Sequence, residues 1–254
     1  MNKERIRYYK DFTEDFEKAP EQNMRLSEDY RYIREKRGER FLSALIYALA
    51  VVFGFPFCKL HLGVKYKNRK AFRAVKKQGA FIYANHTQPV GDVFLPALAC
   101  FPKRIYTVVS PANLSLPVIG KVLPYLGALP VADTLSNMKK FNSAVERRIK
   151  DGKIVTIYPE AHVWEYCTQL RPFSETSFKY PVRLGVPVFA MTVTYQKRRF
   201  GTKPKTTVYL DGPFYSDENL SSRDRVNDLH QRVYSRMQMR MRHSNYDYIK
   251  YEQL

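Results

Sequence analysis

Four ionisable side chains stand where two apolar runs give out. AFIYA ends in Asn85-His86, and Asp92 follows six positions after the histidine, past Pro89 and Gly91. KIVTIYP runs into Glu160-Ala161-His162. A neutral imidazole can take a proton from a hydroxyl group. A carboxylate on its far nitrogen fixes the tautomer and stabilises the imidazolium as it forms. The pattern therefore allows His86 as a general base with Asp92 as its orienting partner, and equally an ordinary loop histidine and aspartate. Two imidazoles and two carboxylates are also a metal-ligand set, so a metal-dependent hydrolase stands beside that reading. Asp92 also suits the N-cap of a helix over VFLPALAC, and a histidine with an acid in one loop is ordinary on its own.

Both clusters need a frame that brings them together. From residue 80 onward short apolar strands alternate with helical segments, the pattern of an α/β fold with a mixed, largely parallel sheet. The strands are expected at 80–85, 104–110, 127–132, 153–159, 186–195 and 205–212. In such a sheet, sites gather at the carboxyl ends of strands, where His86 and Glu160 both fall. Between the third and fourth strands, Leu135, Met138, Phe141, Val145 and Ile149 recur at helical spacing, predicting one apolar helix face that ends at Gly152. The segment from Ser216 to Ser244 reads as a polar, basic terminal helix. His61, His230 and His243 are expected to face solvent or membrane, and Trp164 to sit in the core or at a lipid interface.

The chain has 254 residues and a formal net charge of +19. That charge predicts an anionic partner: nucleic acid, a membrane surface, or an acidic carrier or substrate. No RNP sequence, zinc pattern or helix-turn-helix signal supports nucleic acid. Cys58, Cys100 and Cys167 form no C-x-x-C pair, which argues against a zinc knuckle and a disulfide framework and for a reducing compartment.

Residues 1–40 carry 11 basic and 10 acidic side chains and read as a helical or partly ordered arm without a secretory signal. Residues 41–58 then carry no charge, and residues 59–77 carry eight basic residues and no acid. A spanning helix needs about 20 apolar residues, and cations on both flanks fit a segment that lies in or dips into the interface. The division expected is a charged arm with a membrane-contacting helical region over 1–78 and an α/β domain over 79–254. The implied location is the cytoplasmic face of an anionic membrane, interfacial or re-entrant rather than simply spanning.

Four blocks in order resemble those of the PlsC-type glycerolipid acyltransferases: NHTQPVGD (85–92), GALPVAD (127–133), YPEAH (158–162) and VPVFAMTV (186–193). The resemblance covers about residues 41–195. It implies transfer of an acyl group from an acyl-CoA or acyl carrier protein thioester to a lysolipid hydroxyl, with no metal and no organic cofactor. It implies catalytic roles for His86 and Asp92, an acceptor-holding role for His162, and for Asn85 and Glu160 either contact with the acceptor or bracing of the loop around His86. The blocks also depart from the family pattern. Five residues separate His86 from Asp92 where the family has four, and Gly91 is expected to absorb the extra one as a bulge. Asp133 stands at the place of a phosphate-binding arginine, and Ala161, His162 and Val163 replace glycine, threonine and arginine. Lys139, Lys140 or Arg171 are the candidates to supply the missing cation. A membrane-binding relative without catalysis also fits these departures.

Overall fold

The computed structural model describes residues 5–254. Residues 1–4, the opening of the arm, lie outside the described residues. The elements in chain order are β1 (Ile6–Tyr9), α1 (Arg37–Pro56), β2 (Lys65–Lys67), β3 (Ala80–Ala84), α2 (Gly91–Cys100), β4 (Ile105–Val109), α3 (Ile119–Leu126), β5 (Ala128–Pro130), α4 (Leu135–Lys150), β6 (Ile154–Ile157), α5 (Lys179–Leu184), β7 (Val188–Gln196), β8 (Lys205–Phe214), α6 (Ser222–Met241) and β9 (Lys250–Gln253).

Seven strands form one sheet in the order β2-β8-β7-β3-β6-β4-β5, and β7 with β8 is its antiparallel pair. The mixed, largely parallel α/β architecture is the one its sequence predicts. Every residue of β3 is buried, because helices cover both faces of the sheet. Alternate side chains divide between two cores. Ala80, Ile82 and Ala84 join Leu95, Leu98, Cys58 and Leu62 on one face. Phe81 and Tyr83 join Phe141, Val145, Leu229 and Val233 on the other.

Register decides what meets at the sheet's carboxyl edge. Ala80 pairs with Ile154 and Tyr83 with Ile157. Carrying that register onward sets His86 level with Glu160. On the other side Ala84 pairs with Met191, so Asn85 and His86 run beside Thr192 and Val193.

α1 continues past Pro56 as one π-helical turn, Phe57–His61. Together, residues 37–61 are long and apolar enough to cross a membrane, yet only 11% of their most apolar window is buried. Tyr47 and Val51 pack on the body, while Phe41, Leu45, Leu49, Val52 and Phe53 are exposed along the helix. Gly54 is where α1 meets α2: a Cβ there would lie 2.5 Å from Cδ1 of Phe94.

Several expectations need correction. The arm is not helical in its described part. It contributes β1, which pairs in parallel with β9, a partner too remote in sequence for local pattern to reveal. Of the two places expected for Trp164 the structure gives the core, where it clusters with Tyr9 and Cys167. His230 is buried, stacked edge-on against Phe173 and Phe178. On α4 the buried residues are Asn137, Phe141, Ala144, Val145 and Ile149, and Leu135 and Met138 are exposed. The first turn diverges because Asn137 turns inward to donate to the Ser27 carbonyl of the arm.

Candidate active site

β3 delivers Asn85 and His86 to the carboxyl edge, and Asn85 extends the ladder after the strand ends. Its fully buried amide donates to the Val193 carbonyl at 3.0 Å and accepts from the Val193 N–H at 2.8 Å. The chain then turns sharply. His86 Nδ1 lies 2.7 Å from Asp92 Oδ2. The same oxygen accepts from the backbone N–H groups of Thr87 and Gln88, at 3.1 and 3.0 Å. Asp92 is thus fixed by the loop it closes, and its side chain is 3% exposed against 19% for His86.

Two expectations about this turn fail. Asp92 is not the cap of α2, since it lies inside the first turn and its carboxylate reaches back to the preceding loop. Gly91 forms no bulge; it is the first residue of α2. A Cβ there would meet Gln88 Cβ at 2.9 Å and Leu62 Cδ1 at 3.0 Å. The fifth intervening residue is taken up in the turn, and the contact forms across it.

Orientation of the imidazole comes from three sides. Nδ1 is held by Asp92, so the neutral ring carries its proton there and presents a bare Nε2. Among the described residues Nε2 has no hydrogen-bond partner. The Tyr158 ring stacks on the imidazole, with centroids 4.4 Å apart, and the Tyr158 hydroxyl donates to the Asp92 carbonyl at 2.7 Å. Burial, then the Asp92 charge, holds the Tyr158 phenol well above the ordinary tyrosine range, so it stays a neutral donor. Behind the loop Tyr195 hydroxyl bonds the Thr87 carbonyl at 3.1 Å and receives Gln88 Nε2 at 3.0 Å. Cys58 packs behind as well: burial, then the Asp92 charge, pushes its thiol up to about 12.

Glu160 meets the histidine through its backbone. Oε2 accepts from the His86 N–H at 2.9 Å and from Arg171 Nη2 at 3.0 Å, and Oε1 accepts from the Arg171 N–H at 2.9 Å. Arg171 is itself 1% exposed and lies over the Trp164 ring. The segment between them bonds the His86 turn directly: Trp164 N–H donates to the His86 carbonyl at 3.1 Å, and Tyr166 N–H to the Thr87 carbonyl at 2.9 Å.

The structure therefore brings together His86, Asp92, Asn85, Glu160 and Arg171, with His86 paired to Asp92 as the spacing leads one to expect and the other three bracing the turn. Asn85, Glu160 and Arg171 spend their hydrogen bonds inside the protein and support the turn rather than await a substrate. His162 turns away, its Nδ1 3.5 Å from Asp15 of the arm. Lys139 and Lys140 are exposed on α4, and the Lys140 ammonium donates to the Glu28 carbonyl. Asp133 is exposed as well. Among the described residues no three His, Cys, Asp or Glu side chains are disposed to hold a metal ion. The four-ligand arrangement a metal-dependent hydrolase needs is not formed, because Glu160 faces Arg171 and His162 faces Asp15. Sequence reasoning missed Tyr158, although it stands at the end of β6, two residues before the Glu160 that the register sets level with the histidine.

Comparison with known proteins gives the chain a family and its fold a relative. The model of the family described as Acyltransferase matches residues 63–194, about half of the chain. The 1-acyl-sn-glycerophosphate (LPA) acyltransferase PlsC from Thermotoga maritima has a similar fold, with a TM-score of 0.56 and 16% identity. The alignment covers 85% of this chain and 86% of that one. No curated protein sequence matches this chain significantly.

Proposed function

This chain belongs to the Acyltransferase family, and on that premise we propose that it moves a fatty acyl group from a thioester donor to the hydroxyl of a lysophospholipid or related glycerolipid, at a membrane surface. The contact that carries the reading is His86 Nδ1 to Asp92 Oδ2 at 2.7 Å, with Nε2 left bare. Nε2 takes the proton of the acceptor hydroxyl as its oxygen attacks the thioester carbonyl. Asp92 stabilises the imidazolium. As the tetrahedral intermediate collapses, the C–S bond breaks and the imidazolium returns its proton to the leaving thiolate. An ester and a free thiol result, with no step that calls for a cofactor. The donor is acyl-CoA or an acyl carrier protein.

The membrane part of the reading rests on α1. Its exposed apolar stripe runs lengthwise while its other side packs on the body, which suits a helix lying in the interface better than one that spans. The similar fold of PlsC, a lysophosphatidate acyltransferase by its description, supports a glycerolipid acceptor. The cytoplasmic leaflet, rich in anionic lipid, suits the net charge of +19.

Acyl transfer from acyl-CoA and from acyl carrier protein to a panel of lysolipids tests the proposal. His86→Ala should lower turnover by about two orders of magnitude or more with the fold intact. Asp92→Asn should lose most activity by favouring the wrong tautomer. Lysophosphatidate should not be the best acceptor, since Asp133 replaces the family's arginine and Arg171 is committed to Glu160. Near-normal turnover in folded His86→Ala would leave a binding protein without catalysis as the better account.

A further inference from the structure

The loop joining β7 to β8 reads KRRFGTKP over residues 197–204. From Gln196 to Lys205 it holds five cations and no acid. At its tip Phe200 is 79% exposed. Arg199 lies over the Phe200 ring, 5.4 Å from its centroid, and Gly201 makes the turn with a φ of +84°. A single exposed phenylalanine needs no explanation. This one sits on a braced loop. Arg198 Nε donates across the loop to the Pro204 carbonyl at 3.0 Å, and the Tyr246 hydroxyl donates to the Thr202 carbonyl at 2.9 Å. The aromatic ring is therefore held outward by fixed backbone.

The bracing also decides where the loop lies. Arg198 Nη2 donates to the His61 carbonyl at 3.1 Å, and Lys203 Nζ lies 3.2 Å from His61 Nε2. A Cβ on Gly63 would lie 2.8 Å from Arg198 Nη2. The loop is thus docked on the end of the apolar helix, beside Leu60, which is 75% exposed, and the exposed Lys59. The loop that carries Phe200 is tied to the end of the helix that carries the apolar stripe, and Lys59, Lys197, Arg199 and Lys203 of these two segments are exposed.

We propose that the β7–β8 loop is a second membrane-seating element, with Phe200 entering the acyl boundary and Lys197, Arg199 and Lys203 meeting anionic headgroups. This rests on the membrane reading of α1. An aromatic ring amid cations matches a lipid interface in both of its layers, apolar below and anionic above. Duplex nucleic acid would use the cations but leave the ring in water. Two contacts, α1 and the loop, also fix how the body is turned toward the bilayer, which one helix does not.

The test uses the full chain and vesicles of equimolar phosphatidylcholine and phosphatidylglycerol. Phe200→Trp should show a blue-shifted emission component on vesicle addition, quenched by brominated acyl chains, over the unchanged signal of Trp164. Phe200→Ser should bind about tenfold more weakly, and Arg199→Gln should weaken binding to these vesicles but not the residual binding to pure phosphatidylcholine. Turnover of Phe200→Ser on a water-soluble short-chain acceptor should match the wild type. Wild-type and Phe200→Ser proteins that bind vesicles equally would overturn the proposal while leaving α1 as the anchor. A wild-type protein that stays in solution would overturn the membrane reading, and the loop's role with it. Loss of duplex-DNA binding by Arg199→Gln with vesicle binding unchanged would also overturn it, in favour of nucleic acid.

Discussion

Replacing Glu160 by glutamine removes the carboxylate facing a buried guanidinium. Arg171 is 1% exposed, so its charge has no water to fall back on. Breaking a buried pair on one side costs about 3–5 kcal/mol. Glu160→Gln should lower stability by that order in denaturant unfolding, and Glu160→Gln combined with Arg171→Met should recover most of it. A loss below about 1 kcal/mol in the single variant would mean the pair is no keystone of the turn. His230 carries a different signature. Burial holds its imidazole below the ordinary value, against the pull of the Phe173 carbonyl. The unfolded chain then binds more protons than the native one between the lowered pKa and the ordinary value of about 6.5. Stability should fall as pH drops from about 6.5, and His230→Gln should flatten that slope in melting temperatures taken across mildly acid pH.

At the scale of elements, α1 crosses α2 at close range. Gly54→Ala puts a methyl into the Phe94 ring at 2.5 Å, and an aromatic ring held between two helices cannot step aside as a lysine tip can. Overpacking of this kind costs about 1–3 kcal/mol. Gly54→Ala should lower the melting temperature and the activity together, since α2 carries Asp92, and Phe94→Leu in the same chain should restore both. If the single variant melts like the wild type, the helices do not meet as closely as described. The six strands from Ala80 to Phe214 were legible because each is an apolar run bounded by turn residues. β2 was not, since Lys-Tyr-Lys reads as part of a basic stretch. β1 and β9 were not, since each is four residues long and finds its partner at the other end of the chain. The same limit applied at the site. Asp92 and His86 lie close in sequence and their pairing was readable. That Arg171 was already spent on Glu160 is a fact of packing, which no spacing states.

The pairing of β1 with β9 ties the two ends of the molecule over one segment of the site. Trp164, the one tryptophan of the chain, lies beneath that tie. Its ring stacks on Tyr251 with centroids 4.8 Å apart, Tyr9 sits 4.7 Å away, and its Nε1–H donates to the Glu14 carbonyl at 2.9 Å. Its backbone N–H meanwhile holds the His86 carbonyl at 3.1 Å. Arm, terminal strand and His86 turn therefore meet in one residue whose fluorescence no other tryptophan overlaps. Ending the chain after Asn245 removes Tyr251 and leaves β1 without its partner strand. The indole should become wet, and its emission should shift to the red. Turnover should fall as well, because the segment that donates to His86 and Thr87 loses its cover. The seven-stranded sheet closes without β9, so cooperative unfolding should persist and separate this loss from a failure to fold. Tyr251→Ala should reproduce the red shift in part, with a smaller loss of turnover. A truncated protein with red-shifted emission and full activity would show that the tie covers the tryptophan without steadying the histidine.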